Sequence, residues 1–245
     1  MKTLLTLLAI LLFASSGFAA GRVIPYAVND EKFEGYYVSP AAGAPLVLLV
    51  HDWDGLTDYE VKRAEMLEKM GYAVFAVDLF GKGIRPAAIE ERQKVTGALY
   101  SDRNRMRALL QGGLAAAKSA GGNVKNAVAM GYCFGGTAIL ELARSGAELK
   151  GFVAFHGGLE TPAGQDYRQT KGKVLILHGT ADSSVTMEHF ANLAVELETA
   201  GISHEMITYS GAPHAFTVFG SDRYRQDADE KSWKRFGEFF HEILR

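Results

Sequence analysis

Residues 124–140 read VKNAVAMGYCFGGTAIL, an apolar run that passes through a glycine-rich turn and continues with helical spacing. The apolar run is typical of a strand that is buried on both faces. The pattern Gly131-x-Cys133-x-Gly135 is typical of the sharp strand–turn–helix junction that carries a catalytic nucleophile. Glycines are needed at such a turn because neighbouring Cα atoms come too close for side chains. Cys133 is therefore a candidate nucleophile, and a buried core cysteine between packing glycines is the alternative.

The rest of the chain repeats this alternation of strand and helix. Short apolar runs that end at polar residues predict five more strands, the last weaker than the others: Pro45–His51, Tyr72–Asp78, Gly151–His156, Lys173–His178 and His204–Tyr209. Helical spacing predicts helices over Asp58–Met70, Asp102–Ser119, Gly136–Ser145, Thr186–Ala200 and Asp227–Leu244. The alternation predicts an α/β fold with a doubly wound, mostly parallel sheet and helices on both faces. Ala27–Ser39 is expected to start the sheet as an antiparallel strand, and Gly81–Ile89 to be irregular.

The start of the chain differs from everything after it. A short basic start, the apolar run Leu4–Phe13 and the small residues before and at Ala19 predict a secretory signal peptide over residues 1–19. The apolar run is too short for a membrane anchor, which needs about 20 apolar residues. We therefore expect residues 20–245 to form a single domain that is periplasmic or secreted, without a membrane anchor.

The charge balance and the cysteine content limit the possible partners. The chain has 26 basic and 28 acidic residues and no block of like charge, so nucleic acid is not expected as a partner. A small molecule is the expected partner, and a monomer the expected state. Cys133 is the only cysteine. In an exported protein an unpaired thiol is either buried or kept for its reactivity.

Asp182 and His214 follow Cys133 along the chain in the order acid, then base. Each lies in the loop that follows its own predicted strand. Because the carboxyl ends of parallel strands meet at one edge of a sheet, we expect the three side chains to converge there. In such a triad His214 takes the thiol proton, and Asp182 holds the imidazole in the right tautomer.

Two backbone N–H groups are expected to bind the oxyanion of the reaction, namely those of Phe134, after the nucleophile, and Trp53, after the first long strand. His51, His156 and His178 end strands at the same edge, which raises the hypothesis of a metal site. None of them has paired ligand spacing such as H-E-x-x-H, and no G-x-G-x-x-G follows the first strand. We therefore predict no metal and no cofactor, and hydrogen bonds at the strand ends for these histidines.

Several motifs together resemble the dienelactone hydrolase family. They are GYCFGG at 131–136, HGTAD at 178–182, SGAPHAF at 210–216, and HDWDGL at 51–56 followed by GYAVFAVDLF at 71–80. The resemblance covers nearly all of the chain after the signal peptide and implies the α/β-hydrolase fold. It also implies a triad of Cys133, His214 and Asp182 that hydrolyses small esters or lactones through a thioacyl-enzyme.

The resemblance implies two further roles. A family glutamate that contacts the resting thiol corresponds to Asp52, so Asp52 is a thiol-gating candidate whose carboxylate would disfavour the thiolate by repulsion. A family arginine that binds the substrate carboxylate is replaced by Lys94, which becomes a substrate-binding candidate. A second such arginine is replaced at Thr217-Val218, so the fold and triad transfer more directly than the substrate. The alternatives are a broad carboxylesterase or thioesterase with the same triad and a non-catalytic binding protein on a hydrolase scaffold.

Overall fold

The computed structural model describes residues 21–244, so the predicted signal peptide lies outside the described residues. One sheet contains the strands β1 (Arg22–Val28), β2 (Glu31–Val38), β3 (Pro45–Val50), β4 (Ala73–Val77), β5 (Asn123–Tyr132), β6 (Gly151–Phe155), β7 (Lys173–Gly179) and β8 (His204–Tyr209). The helices are α1 (Asp58–Lys69), α2 (Ile89–Ser101), α3 (Arg103–Ser119), α4 (Phe134–Arg144), α5 (Met187–Thr199) and α6 (Gln226–Ile243). None of these helices within residues 21–244 combines the length and the apolar character of a membrane span.

The strand order is β1-β2-β4-β3-β5-β6-β7-β8. Strands β3 to β8 are parallel, and β1 and β2 add an antiparallel edge. From β3 the chain steps to β4 on one side and then crosses to β5 on the other. This reversal opens a crevice at the carboxyl ends of β3 and β5, where ligands bind in sheets of this kind. The predicted doubly wound α/β fold is confirmed, and Cys133 lies at this crevice because it follows β5 directly.

Side chains of the central strands alternate between two helical layers. In β3, Leu46, Leu48 and Val50 pack in the cluster that includes α3 and α4, whereas Val47 and Leu49 pack in the cluster that includes α1 and α6. All five side chains are fully buried. Burial of each contributes about 1.5–3 kcal/mol. The doubly covered sheet therefore gives the loops at its carboxyl edge a rigid support.

The antiparallel edge differs from the single strand expected over Ala27–Ser39. β1 and β2 form a hairpin that turns at Asn29 and Asp30, whose φ angles are 49° and 65°. Asparagine and aspartate tolerate this left-handed backbone, and a two-residue turn of this hand matches the twist of paired strands. Gly35 in β2 lies against β4, where a Cβ atom would come within 2.5 Å of the ring of Phe75. The glycine thus permits close strand packing and does not interrupt β2.

Helix α2 is not predicted by the sequence. Residues 81–88 are irregular, as expected, but the chain then forms a helix of 13 residues. Only Thr96 and Leu99 are buried in it, and the N-cap residue Ala88 has no side chain that can cap the helix. Both the periodic signal and the capping signal are therefore weak.

Candidate active site

Cys133 joins β5 to α4 with a backbone that residues other than glycine rarely adopt, with φ 49° and ψ −114°. Crowding at this turn explains the glycines on either side. A Cβ atom at Gly131 would lie 2.3 Å from the backbone of Gly135, and one at Gly135 would lie 2.4 Å from the carbonyl oxygen of Val50. Only glycine avoids these contacts. The turn places Cys133 at the N-terminus of α4, where the helix dipole stabilises negative charge.

The loops after β7 and β8 bring Asp182 and His214 to the nucleophile candidate. Nε2 of His214 lies 3.1 Å from Sγ of Cys133, and Nδ1 of His214 lies 2.7 Å from Oδ2 of Asp182. The other carboxylate oxygen of Asp182 accepts hydrogen bonds from the N–H groups of Ser184 at 2.9 Å and Val185 at 2.8 Å. The structure therefore brings the three predicted triad residues together in one hydrogen-bonded line.

The surroundings of this line set the charges of its members. Burial alone would lower the pKa of His214, but its hydrogen bonds to Asp182 and Cys133 raise that pKa from 6.5 to about 10. Burial would raise the pKa of Asp182, and its hydrogen bonds with His214, Val185 and Ser184 lower it instead. Asp182 is therefore ionised at neutral pH, and His214 holds a proton there as an imidazolium. These are the charge states that follow transfer of a thiol proton to a histidine base.

The loop after β3 lies against the start of α4. The ring of His51 stacks on Phe134 with 5.9 Å between the centroids. Within residues 21–244, the N–H groups of Phe134 and Trp53 donate to no backbone or side-chain acceptor. Unpaired N–H donors beside a nucleophile are what an oxyanion hole needs. The positions of Phe134 and Trp53 are thus compatible with the predicted role of both backbone groups.

Asp52 is almost fully buried, and Cys133 lies close enough to affect its charge. The pKa of Asp52 is raised to about 10, mainly by burial, with smaller contributions from the hydrogen bond with Asp54 and from the charges of Glu60 and Asp54. One oxygen of Asp52 accepts a hydrogen bond from the N–H of Asp54 at 3.1 Å. At pH 7 the Asp52 carboxyl group is therefore protonated. A neutral acid does not repel a thiolate, so the gating role of Asp52 stays a prediction, which depends on ionisation of this carboxyl group.

Lys94 is exposed on α2, so its role in substrate binding stays a prediction. Arg92 lies two residues earlier, about 200° around the helix, and contacts the loop after β3. Its guanidinium lies 5.2 Å from the ring centroid of Trp53 and 3.7 Å from the carboxylate of Asp54. Its Nε donates to the carbonyl oxygen of Pro86 at 3.0 Å. Arg92 therefore supports the loop that carries the Trp53 N–H, whereas Lys94 faces solvent.

Sequence reasoning missed Tyr100 as a residue of the site. Its hydroxyl lies near Thr137 and Cys133, and its ring centroid is 5.5 Å from that of Phe134. Tyr100 lies on α2, and no periodic pattern in that helix distinguishes it. His156 was predicted only to form a hydrogen bond at a strand end. Its Nδ1 is in fact a second acceptor, at 3.2 Å, for the N–H of Cys133, which also donates to the carbonyl oxygen of Phe155 at 3.0 Å.

The other two strand-end histidines have the hydrogen bonds predicted for them. Nε2 of His51 accepts the N–H of Leu79 at 3.1 Å, and its Nδ1 lies 2.6 Å from the carbonyl oxygen of Asp52. Nε2 of His178 donates to the carbonyl oxygen of Val185 at 2.9 Å. Burial lowers the pKa of both rings. In the part of the chain that the structure describes, no three His, Cys, Asp or Glu side chains are grouped as metal ligands would be.

Comparisons with known proteins agree in family and fold. The model of the dienelactone hydrolase family matches residues 33–244. The "Putative carboxymethylenebutenolidase" of Methylorubrum extorquens is 24% identical over 242 residues, which cover 93% of this chain and 82% of that protein. The crystal structure of a dienelactone hydrolase-like promiscuous phosphotriesterase from metagenomic libraries is 28% identical. It superposes with a TM-score of 0.86 and covers 93% of this chain and 99% of its own. A solved structure named "m3DLH" is 30% identical and superposes with a TM-score of 0.87. The match covers 92% of this chain and 99% of that structure.

Proposed function

The chain belongs to the dienelactone hydrolase family, and on this basis we propose that it cleaves small esters or lactones with Cys133 as the nucleophile. The protein is a hydrolase with the α/β-hydrolase fold. In the proposed reaction His214 is the base and Asp182 orients it. The proposal rests on one observation, the hydrogen-bonded line from Sγ through the imidazole to the carboxylate, with distances of 3.1 and 2.7 Å.

Acylation begins with the thiol proton of Cys133 on Nε2 of His214, and Sγ then attacks the carbonyl carbon of the substrate. The carbonyl oxygen becomes an oxyanion, which accepts hydrogen bonds from the N–H groups of Phe134 and Trp53. When the tetrahedral intermediate collapses, the bond to the alkoxide oxygen breaks and His214 gives its proton to that oxygen. The products of this half-reaction are an alcohol and a thioester at Cys133; with a lactone, both remain in one molecule.

Deacylation uses the same groups with water as the nucleophile. His214 removes a proton from water, and the hydroxide attacks the thioester carbon. The second tetrahedral intermediate uses the same oxyanion donors, and its collapse breaks the C–S bond. The carboxylic acid leaves, and the proton on His214 beside the freed Sγ restores the resting enzyme. Asp182 stays ionised throughout, because its task is to hold the ring and stabilise the imidazolium.

The charges around the site favour neutral substrates at least as much as anionic ones. A substrate carboxylate is bound best by a bidentate arginine. Lys94 faces solvent, and the Arg92 guanidinium is already engaged with Trp53 and Asp54. We therefore propose neutral short-chain esters as substrates alongside dienelactone-like acids. We further propose, from residues 1–19 alone, that the protein acts outside the cytoplasm.

A hydrolysis screen tests this function. The compounds are p-nitrophenyl esters, acyl thioesters and unsaturated lactones. Each is supplied in two forms, one that carries an additional free carboxyl group and one in which that group is a methyl ester. Hydrolysis is measured with the wild-type protein and with Cys133→Ala. We expect turnover of short neutral esters that disappears in Cys133→Ala. Undiminished turnover in that variant would refute the mechanism. No turnover of any compound would support a binding protein on a hydrolase scaffold, and a strong preference for the free acid would restore the narrower lactone specificity.

A further inference from the structure

A chain of buried hydrogen bonds extends from the nucleophile into the protein, away from the triad. His156 is its first member. The Cys133 N–H is shared between the carbonyl oxygen of Phe155 at 3.0 Å and Nδ1 of His156 at 3.2 Å, and Nε2 of His156 lies 2.8 Å from Oγ1 of Thr217. Because Nδ1 is an acceptor, the proton of the neutral ring is on Nε2 and is donated to Thr217. Burial holds the pKa of His156 well below its ordinary value, so the ring stays neutral. One ring thus connects the nucleophile to a residue three positions after His214.

The chain continues from Thr217 to a buried ion pair between α1 and α6. Oγ1 of Thr217 lies 2.8 Å from the hydroxyl oxygen of Tyr59, which also accepts Nε–H of Arg63 at 3.2 Å. Nη2 of Arg63 donates to the carbonyl oxygen of Thr217 at 2.8 Å and to the carboxylate of Asp229 at 2.5 Å. An arginine can only donate, so it fixes the direction of the hydrogen bonds around it. Thr217 is therefore held at both its hydroxyl and its carbonyl group.

The backbone at His156 is as unusual as that at Cys133. The φ angle of His156 is 39° and that of Cys133 is 49°. A residue other than glycine keeps such a conformation only where its surroundings enforce it. The next residue, Gly157, packs so closely that a Cβ atom there would lie 2.9 Å from Cα of Gly136 in α4. Two strained residues are thus joined by the hydrogen bond between Cys133 N–H and His156.

The same ring also lies against the base. The centroids of His156 and His214 are 5.4 Å apart in an edge-on arrangement, and His156 contacts Phe216 in the same way at 5.3 Å. His156 cannot act as a second base for the thiol, because its free lone pair is used by the Cys133 N–H. Because His156 lies between the nucleophile and the loop that carries His214, the role that remains for it is to hold these two segments in place.

We propose that His156 is a positioning residue, which holds the Cys133 backbone with one ring nitrogen and the His214 loop, through Thr217, with the other. The inference rests on the proposed role of the triad. Sγ and Nε2 of His214 come from segments 81 positions apart in the chain, and His156 ties these two segments to each other. A displacement of about 1 Å between reacting groups lowers a rate by up to roughly a hundredfold, so loss of this tie affects turnover more than substrate affinity.

Substitution of Thr217 tests the tie without touching the triad. Thr217→Val removes the hydroxyl that accepts from His156 but keeps the branched shape, and Thr217→Ser keeps the hydroxyl. We expect Thr217→Val to lower kcat on p-nitrophenyl acetate about tenfold or more, with KM within about twofold, and Thr217→Ser to keep kcat within about threefold of the wild-type value. Alkylation of Cys133 by iodoacetamide should slow in the same order.

Tyr224→Phe is the matched control, because it removes a hydroxyl at the far end of the network, 3.3 Å from Asp229. This variant should keep the kcat of the wild-type protein. His156→Asn is the second test variant: the asparagine oxygen can replace Nδ1 as acceptor, but its amide group is too short to reach Thr217. If both substitutions break the same tie, the variant carrying both should lose no more activity than either alone.

Several results would overturn the proposal. The proposal fails if Thr217→Val keeps the kcat and the Cys133 alkylation rate of the wild-type protein, whatever its melting temperature. Equal losses of kcat in Thr217→Val and Thr217→Ser would assign the effect to packing. Additive losses in the variant that carries both substitutions would show that His156 and Thr217 act independently. Failure of the wild-type protein to hydrolyse any ester would refute the proposed function alone, because the alkylation rates still measure the positioning of Cys133.

Discussion

Replacing Asp182 by asparagine changes one end of the triad while leaving the other contacts of this side chain possible. The asparagine oxygen can still accept the N–H groups of Ser184 and Val185, which hold the carboxylate at 2.9 and 2.8 Å. The amide nitrogen, however, would face Nδ1 of His214 and donate to it. The ring proton would then lie on Nε2, which faces Sγ of Cys133, and a ring in this tautomer cannot take the thiol proton.

The size of the loss follows from the charge on His214. Asp182 and Cys133 together raise its pKa from 6.5 to about 10. At about 1.4 kcal/mol for each pKa unit, this represents roughly 5 kcal/mol of imidazolium stabilisation shared by two partners. A share of about 3 kcal/mol for the charged hydrogen bond of Asp182 predicts a loss of roughly two powers of ten in kcat. The wrong tautomer should extend the loss to about three or four powers of ten.

The assay is steady-state hydrolysis of p-nitrophenyl acetate by Asp182→Asn, with melting temperature and circular dichroism as controls for folding. We expect kcat to fall far more than KM changes, because the lost interaction stabilises the transition state and not the bound substrate. A folded variant that keeps more than about a tenth of the wild-type kcat would refute the reasoning. It would mean that another group sets the tautomer of His214, or that proton transfer to His214 does not limit turnover.

Four further expectations can be checked with single substitutions. Cys133→Ser should fold normally but lose at least about a hundredfold in kcat, because a hydroxyl gives up its proton far less readily than a thiol; near-normal turnover would argue against a site built around a thiolate. Asp52→Asn should leave the rate of Cys133 alkylation at pH 7 within about twofold, since a neutral amide replaces a neutral acid; a marked acceleration would restore repulsion by an ionised Asp52. Gly135→Ala should lower the free energy of unfolding in urea by about 1–3 kcal/mol, because its Cβ atom would meet the carbonyl oxygen of Val50 at 2.4 Å, whereas a stable variant would show that the turn can relax. The folded-state pKa of His214 is raised to about 10, so its stabilising contribution is complete below about pH 6.5 and is lost as the pH rises towards 10; the stability difference between wild type and His214→Gln should shrink over that interval, and a constant difference would contradict the raised pKa.

The central strands and the order of the triad could be predicted because their causes are local. Strands such as β6 and β7 are covered by helices on both faces, so their sequences are almost continuous apolar runs. Gly131 and Gly135 are set by close backbone approach at the turn itself. Once the strands are known, the rule that carboxyl ends of parallel strands meet at one edge is enough to bring Cys133, Asp182 and His214 together.

The parts that could not be predicted depend on contacts between distant segments. Tyr59 and Thr217 are 158 positions apart and His156 and Thr217 are 61 apart, yet each pair is joined by a hydrogen bond of 2.8 Å. No spacing rule connects such residues. The protonated state of Asp52 depends on burial that only the folded loop creates. Helix α2 has few buried residues and no capping side chain at its N-cap residue, so the residues it brings to the site have only a weak signal in the sequence.

The charge states around Cys133 also explain how one histidine can serve as both acid and base. Asp52 is protonated at pH 7, and the pKa values of His51 and His156 are lowered by burial, so these three neighbours are uncharged. The charge on His214 therefore responds mainly to Asp182 and Cys133, both of which raise its pKa. Before acylation both partners favour the imidazolium, which promotes transfer of the thiol proton.

When Sγ bonds to the substrate carbon, the sulfur no longer carries negative charge or accepts the imidazolium proton, and the part of the pKa shift that comes from Cys133 disappears. The pKa of His214 must then fall, with only Asp182 still raising it. A less basic ring releases its proton to the leaving alkoxide more readily, and as a neutral imidazole it can then remove a proton from water. Cleavage of the thioester restores the thiol and with it the original pKa. The direct contact between His214 and Cys133 at 3.1 Å thus couples the acidity of the base to the progress of the reaction, without movement of any third group.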